Sequence, residues 1–318
     1  MAVDGLQEAA QRSTTRIMGI VLVSLLPGTL AMTYLWGVGV LWNVLWLLAF
    51  CFLTEVICCG RDWLKATRQI SDLSTCVTAV LIAICLPPDM PVYVLATAGV
   101  VAIGLAKHAY GGLGRNIFNP AMVGFAVAFV SFPAAFTSWP LLDGLVEGSV
   151  DVLSGATQLS EFRYRDGVTV LEFDARYASL LEAQTLVASC FAIGGFVLLA
   201  LSIISWHIPL GCVLGLVLAS LFGYDQGSSL SAGSTTFHLL SGGFIAAMFF
   251  VATDPVTHPR QRSMQVLFGM MIGLLTYFIR AYGIYPDGIA FAILLANCVT
   301  PLLDRARTSV TDRGQRHA

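Results

Sequence analysis

Ile17-Met-Gly-Ile-Val-Leu-Val-Ser-Leu-Leu-Pro-Gly-Thr-Leu-Ala-Met-Thr-Tyr-Leu35 runs for nineteen residues without a charged side chain. The hydrocarbon core of a bilayer takes about 20 apolar helical residues, so this stretch by itself points to a membrane span. No small-residue cleavage site interrupts it, and it reads as a retained helix rather than a removed leader. Nine further apolar runs follow, over 40–58, 73–86, 92–109, 120–136, 185–206, 208–222, 238–253, 264–279 and 287–303. Several are short for a perpendicular crossing. Short helices interrupted by Gly or Pro are used where irregular backbone is buried in protein around a central site.

The composition of the whole chain agrees. Of 318 residues, 57% are hydrophobic and 11% charged, against roughly 25% charged in an ordinary soluble domain. With a mean hydropathy of +0.79, lipid is the solvent for most of the surface. The net charge of −2 leaves no basic field for nucleic acid. The eight cysteines (Cys51, Cys58, Cys59, Cys76, Cys85, Cys190, Cys212, Cys298) lie in or beside apolar runs with no CxxC pair. They read as small packing residues, and the expectation is no metal centre. The histidines (His108, His207, His238, His258, His317) show no ligand spacing either.

Lys and Arg set the orientation. With the N-terminus in the cytoplasm and loops assigned alternately, thirteen basic residues fall inside, among them Arg61, Lys65, Lys107, Arg115 and Arg260. Four fall outside: Arg163, Arg165, Arg176 and Arg280. That bias places both termini inside and requires an even number of spans, which ten satisfies. The connection 137–184 stands apart, carrying eight acids (Asp143, Glu147, Asp151, Glu161, Asp166, Glu172, Asp174, Glu182) against three arginines. It is expected to face outward. The expected organisation is a cytoplasmic N-terminus over 1–16, five spans over 17–136, the outward loop 137–184, five spans over 185–303 and a cytoplasmic tail over 304–318.

The halves echo one another. Leu86-Pro87-Pro88 ends the third run, and Asp254-Pro255 follows the eighth, 168 residues on. Ala109-Tyr110-Gly111 returns as Ala281-Tyr282-Gly283 after 172 residues. Two halves of five spans must run in opposite senses, so the expected fold is an all-α polytopic membrane protein of ten helices in two inverted repeats.

Three segments could carry chemistry. Lys107-His108-Ala109-Tyr110-Gly111-Gly112-Leu113-Gly114-Arg115-Asn116-Ile117-Phe118-Asn119-Pro120 breaks the helical pattern where two spans meet. Its glycines permit positive φ, and Asn119-Pro120 is an N-cap and first-turn signal. The free N-terminus of a broken helix can hold an electron-rich group, and a purely structural turn explains the same residues. No strand precedes it, so it is not a dinucleotide fingerprint. Asp254, at the end of a span, reads equally as a cap for the turn begun by Pro255 and as a functional carboxylate. Asp287 reads as an N-cap. Finally, Asp151-Val152-Leu153-Ser154-Gly155-Ala156-Thr157 offers a hydroxyl among small neighbours, accessible to a modifying enzyme.

That last segment resembles the recognition motif for covalent flavin attachment, Asp-x-x-Ser-Gly-Ala-Thr. Other segments strengthen the likeness: the runs 110–121, 249–257 (Phe-Phe-Val-Ala-Thr-Asp-Pro-Val-Thr) and 285–297 (Tyr-Pro-Asp-Gly-Ile-Ala-Phe-Ala-Ile-Leu-Leu-Ala-Asn), with Trp206-His207-Ile208-Pro209-Leu210 and Arg16-Ile17-Met18. Together they resemble the D subunits of the Rnf (Rsx) ion-translocating electron-transport complexes over nearly the whole chain. The likeness extends more weakly to the B subunits of Na⁺-translocating NADH:quinone reductases, which have a longer N-terminal region.

The resemblance implies that Thr157 carries FMN through its phosphate. Asp151, Ser154, Gly155 and Ala156 are then read by a periplasmic flavin transferase. It implies a multi-pass subunit of the bacterial inner membrane, surrounded by lipid and working with the A, B, C, E and G subunits. The complex would couple electron transfer between ferredoxin and NAD to movement of Na⁺ or H⁺. A second, non-covalent flavin (riboflavin) near Gly111, Gly112, Gly114, Asn116 and Asn119 is a further expectation, and Asp254 is the candidate for the ion pathway. No catalytic residue is expected on this chain. The rival reading is a solute channel or transporter, which shares the inverted-repeat architecture but has no use for a flavinylation motif.

Overall fold

The computed structural model describes residues 2–60, 70–137, 139, 158–165, 167–283 and 287–315. Their elements are helical throughout. The chain begins with α1 (Ala2–Trp36), α2 (Gly39–Cys59), α3 (Ser74–Cys85) and α4 (Val92–Val100), which continues as a π-helix over Val101–His108. Next come α5 (Pro120–Ser131) and two short helices, α6 (Gln158–Arg163) and α7 (Val170–Arg176). The remainder is α8 (Ala178–Ala200), α9 (His207–Gly223), α10 (Thr235–Leu240), α11 (Phe244–Ala246, continued as a π-helix over Ala247–Val251), α12 (Arg262–Tyr282) and α13 (Ile289–Gln315).

Among the described residues, four helices are long and apolar enough to cross a membrane: Ser13–Trp36, Gly39–Cys59, Ala178–Ala200 and Arg262–Tyr282. Ser74–Cys85, Val92–His108, Pro120–Ser131 and His207–Gly223 are apolar and shorter. Large side chains such as Leu45, Leu53, Phe196 and Leu221 stand exposed, which suits a lipid-facing surface and not a watery one.

The helices group into two compact units. The first holds α1 to α5 and α8. Here the Phe191 ring of α8 lies where a side chain on Gly28 of α1 would be, 2.3 Å from the position of an added Cβ. Asn43 in α2 clamps the turn after α3: its amide donates to the Pro87 carbonyl at 2.7 Å and its oxygen accepts from Met90 N–H at 3.1 Å. That turn carries two of the chain's proline punctuators, and Asn43 supplies the partners that its backbone lacks.

The second unit holds α6, α7 and α9 to α13. Its centre is the crossing of α9 and α12, where Gly211 and Gly215 face Gly269 and Gly273. A Cβ on Gly215 would fall 2.1 Å from the Met270 carbonyl oxygen, and one on Gly273 would fall 2.1 Å from that of Cys212. The same four-residue spacing of glycines on both helices lets the backbones touch, the usual device where apolar burial cannot drive helix association in lipid. At the start of α7, Thr169 and Glu172 form a capping box. The Thr169 N–H donates to the Glu172 carboxylate at 2.9 Å, and the Glu172 N–H donates to the Thr169 hydroxyl at 3.3 Å. This holds the Glu172 carboxyl below its ordinary pKa.

Three sequence expectations change. The run 185–206 is helical from Ala178 and stops at Ala200, so the loop assigned to 137–184 ends earlier and contains α6 and α7. Ser202 at φ 55° stops α8, with Ile203 N–H bonded to Leu198 O and Ser202 N–H to Leu199 O, a Schellman pattern without glycine. The run 238–253 is not one helix: Ser241, Gly242 (φ 64°) and Gly243 divide it into α10 and α11. Lastly, Lys107 and Arg280 are 2% and 3% exposed. They are buried structural cations and not loop charges, which leaves twelve basic residues against three in the orientation argument.

Candidate functional site

The glycine-rich break behaves as its composition requires. Gly111, Gly112 and Gly114 all take positive φ, at 101°, 97° and 85°. They terminate the π-helix, with Gly112 N–H reaching back to the Lys107 carbonyl at 3.0 Å. Asn116 is buried, and α5 begins at Pro120. Asn119 belongs to the second unit. Its N–H donates to Asn297 Oδ1 at 3.2 Å, and its side-chain amide donates to Asp254 Oδ2 at 3.3 Å. Asp254 also accepts from Val256 N–H at 3.2 Å and from the Thr257 hydroxyl at 3.4 Å. The carboxylate therefore caps the turn after the broken span and joins a polar cluster with Asn119, Asn297 and Thr300; the last two donate to the Thr257 carbonyl.

Sequence reasoning missed the most heavily charged interior group in the first unit. Glu55 of α2 is fully buried. Lys107 Nζ donates to its Oε2 at 2.9 Å, the Thr75 hydroxyl donates to the same oxygen at 2.8 Å, and His108 Nε2 sits 2.8 Å from Oε1. Lys107 also reaches the Ser74 and Thr75 hydroxyls, each at 3.1 Å. A buried ammonium and a buried carboxylate are tolerated because each is paired and its remaining hydrogen-bonding capacity is used. The π-helix aims two consecutive residues at Glu55. The available signal was Glu55 itself, an acid inside an apolar run.

The second unit has a counterpart. Arg280, in the last turn of α12, donates to Asp287 Oδ1 from Nη2 at 3.0 Å and from Nε at 3.2 Å. It also donates to the carbonyls of His238 (2.6 Å) and Ser241 (3.2 Å). It thus satisfies the free carbonyls where α10 stops. Asp287 also accepts from Ile289 N–H, so the expected N-cap is present alongside the ion pair.

Asp151, Ser154, Gly155, Ala156 and Thr157 lie outside the described residues. The segment that follows directly is anchored. Leu159 and Phe162 of α6 are buried, and the Phe162 ring lies 4.2 Å from that of Phe237 and 5.1 Å from that of Phe173. The Arg165 guanidinium stacks 3.7 Å above Phe162 and donates to the carbonyls of Phe162 and Ser231.

Apolar helices of spanning length, broken by glycine turns and holding the buried cations Lys107 and Arg280 in ion pairs, define a multi-pass membrane protein. The chain belongs to the NQR2, RnfD, RnfE family, whose profile matches residues 7–311. It is 38% identical over 322 residues to the D subunit of the ion-translocating oxidoreductase complex of Cellvibrio japonicus, covering 94% of this chain and 90% of that protein. The D subunit of the same complex from Pseudomonas aeruginosa (strain PAO1) is 38% identical over 307 residues, 92% of this chain and 89% of that one. The one from Vibrio cholerae (strain O395) is 36% identical over 332 residues, 93% and 94% respectively.

Proposed function

We propose that this chain is the flavin-carrying D-type membrane subunit of an Rnf ion-translocating oxidoreductase complex in a bacterial inner membrane. Family membership and near-full-length identity to the D subunits of such complexes support the place in the assembly. One observation carries the flavin: Asp151-x-x-Ser154-Gly155-Ala156-Thr157 stands in an acidic connection. FMN joined through its phosphate to the Thr157 hydroxyl would supply electron transfer, and the chain's part is to hold it. The residues after Thr157 suit that task, because α6 is pinned by Phe162 and Arg165. Ferredoxin and NAD chemistry falls to the A, B, C, E and G subunits, and esterification to a periplasmic flavin transferase. The Gly111, Gly112, Gly114, Asn116 and Asn119 segment is the proposed place for a second, non-covalent riboflavin.

The proposed topology is ten spans in two inverted repeats, with both termini cytoplasmic and the Thr157 loop outside. Beyond the sequence echoes, each half of the sequence has a buried cation near the end of its fourth expected span. Lys107 bonds the first residues of α3, and Arg280 bonds the carbonyls at the end of α10.

Intact-protein mass and in-gel fluorescence test the flavin. The chain co-expressed with a flavin transferase is expected to gain the mass of FMN less one water and to fluoresce after SDS. Thr157→Ala is expected to lose both. A wild-type chain without flavin under those conditions overturns the reading and moves the transporter reading to first place.

Asp254 is the proposed ion-pathway carboxylate on this chain, coupled through Asn119 and Thr257. Asp254→Asn in the assembled complex is expected to alter Na⁺ or H⁺ transport with flavin content unchanged. Normal transport in that variant would leave Asp254 with its capping role alone.

A further inference from the structure

Glu55 and Cys59 stand four residues apart on one face of α2, and His108 meets them from the end of the π-helix. Each offers one ligand atom (carboxylate oxygen, thiol sulfur, imidazole nitrogen), and the three atoms lie within 4.8 Å of one another. We propose that Glu55, Cys59 and His108 form a site for one thiophilic divalent cation, of which Zn²⁺ best suits a sulfur, nitrogen and oxygen donor set.

Four features support the site. Zinc bonds of about 2.3 Å to sulfur and about 2.0–2.2 Å to nitrogen and oxygen give ligand-to-ligand edges of roughly 3.3–3.8 Å. The three atoms, all within 4.8 Å of one another, would have to close by about 1.5 Å at most to reach that spacing, and an i, i+4 pair on a helix with a third ligand from a facing element is an established way to build such a centre. The carboxylate is already oriented for it. Lys107 and Thr75 hold Oε2 at 2.9 and 2.8 Å and leave Oε1, now facing His108, as the metal-binding atom; this is the support that the outer partners of a ligand provide. The site lies in the last turn of α2, which ends at Gly60 (φ 65°), so the carbonyl end of the helix dipole favours a cation there. Access exists, because the His108 side chain is 13% exposed and Cys59 8%.

On binding, the His108–Glu55 hydrogen bond breaks and Cys59 releases its thiol proton to solvent. The proton that Nε2 gave to that bond moves to Nδ1 by exchange with solvent, so that the Nε2 lone pair faces the cation, and water completes the fourth position. No electron is transferred. The cation ties the end of α2 to the residue just before the glycine-rich break.

The test uses the full chain purified in detergent, stripped with EDTA and titrated with Zn²⁺ against a chromophoric chelator. One Zn²⁺ per chain is expected. Cys59→Ser and His108→Gln are each expected to weaken binding by roughly tenfold or more, and Cys58→Ser, at the exposed neighbour, is expected to leave it unchanged. Co²⁺ in the wild-type chain should give a thiolate-to-cobalt charge-transfer band that is absent in Cys59→Ser. Two results overturn the proposal: a wild-type chain that retains no Zn²⁺ against the chelator, or affinity unaltered in both ligand variants. The readout is independent of flavin, so it stands or falls separately from the Thr157 reading.

Discussion

Lys107→Met is expected to cost the folded protein about 3–5 kcal/mol, because it leaves the Glu55 carboxylate buried without its cation. The substitution keeps the length and most of the volume of the side chain, so lost packing contributes little. What it removes is the 2.9 Å ion pair and the two bonds to Ser74 and Thr75. Glu55 then keeps only Thr75 and His108. The double variant Glu55→Gln with Lys107→Met removes both charges and should recover most of the loss, since replacing a buried pair as a unit is often neutral or stabilising. Denaturation in mixed detergent, followed by helicity, measures all three proteins. A Lys107→Met protein as stable as wild type would show that the pair contributes nothing.

The second large effect is expected at the α9–α12 crossing. Gly215→Ala and Gly273→Ala each place a methyl about 2.1 Å from a backbone carbonyl oxygen of the opposing helix. A flexible side chain could move aside, but a helix backbone cannot, so the helices must separate. Overpacking of this kind costs about 1–3 kcal/mol and sometimes more. Here the cost should exceed that range, because losing the close approach also removes the packing that holds two helices together in lipid. The two changes share one interface, so the second should add less than the first once the helices have parted. Gly243→Ala, where nothing lies within 4 Å, is the control and should leave stability unchanged. Equal stability of Gly215→Ala and Gly243→Ala would refute the account.

Much of the fold was legible in the sequence because its strongest signals are local. An apolar run the length of a bilayer has few alternatives to a helix, and Asn119-Pro120 starts one as expected. The three glycines 111, 112 and 114 take the backbone angles for which they were singled out. The rest depended on what meets what. Glu55 and Lys107 are 52 residues apart, and no local pattern links them. The glycine pairs 211/215 and 269/273 were visible, but only their facing one another gives them meaning. The division at Ser241 to Gly243 is held by Arg280 and Asp287, about forty residues downstream. Likewise α8 belongs with α1 in the first unit, whereas sequence order assigned it to the second half. For the candidate site, Asp254 was legible as a cap, whereas the motif ending at Thr157, singled out through resemblance, lies outside the described residues.

The π-helix at Val101–His108 carries more residues per turn than an α-helix. A segment of that kind is what one surplus residue produces in a helix whose two ends are already fixed. Deleting a single residue anywhere from Val101 to Ala106 would return the stretch to ordinary winding. An α-helix turns about 100° per residue, so the shorter stretch would sweep the same rotation with one residue fewer, and Lys107 and His108 would still face Glu55. The wider winding is therefore what lets a helix with a surplus residue keep both side chains on the interior carboxylate. A homologous chain one residue shorter here is expected to meet Glu55 with the same cation, from an ordinary α-helix.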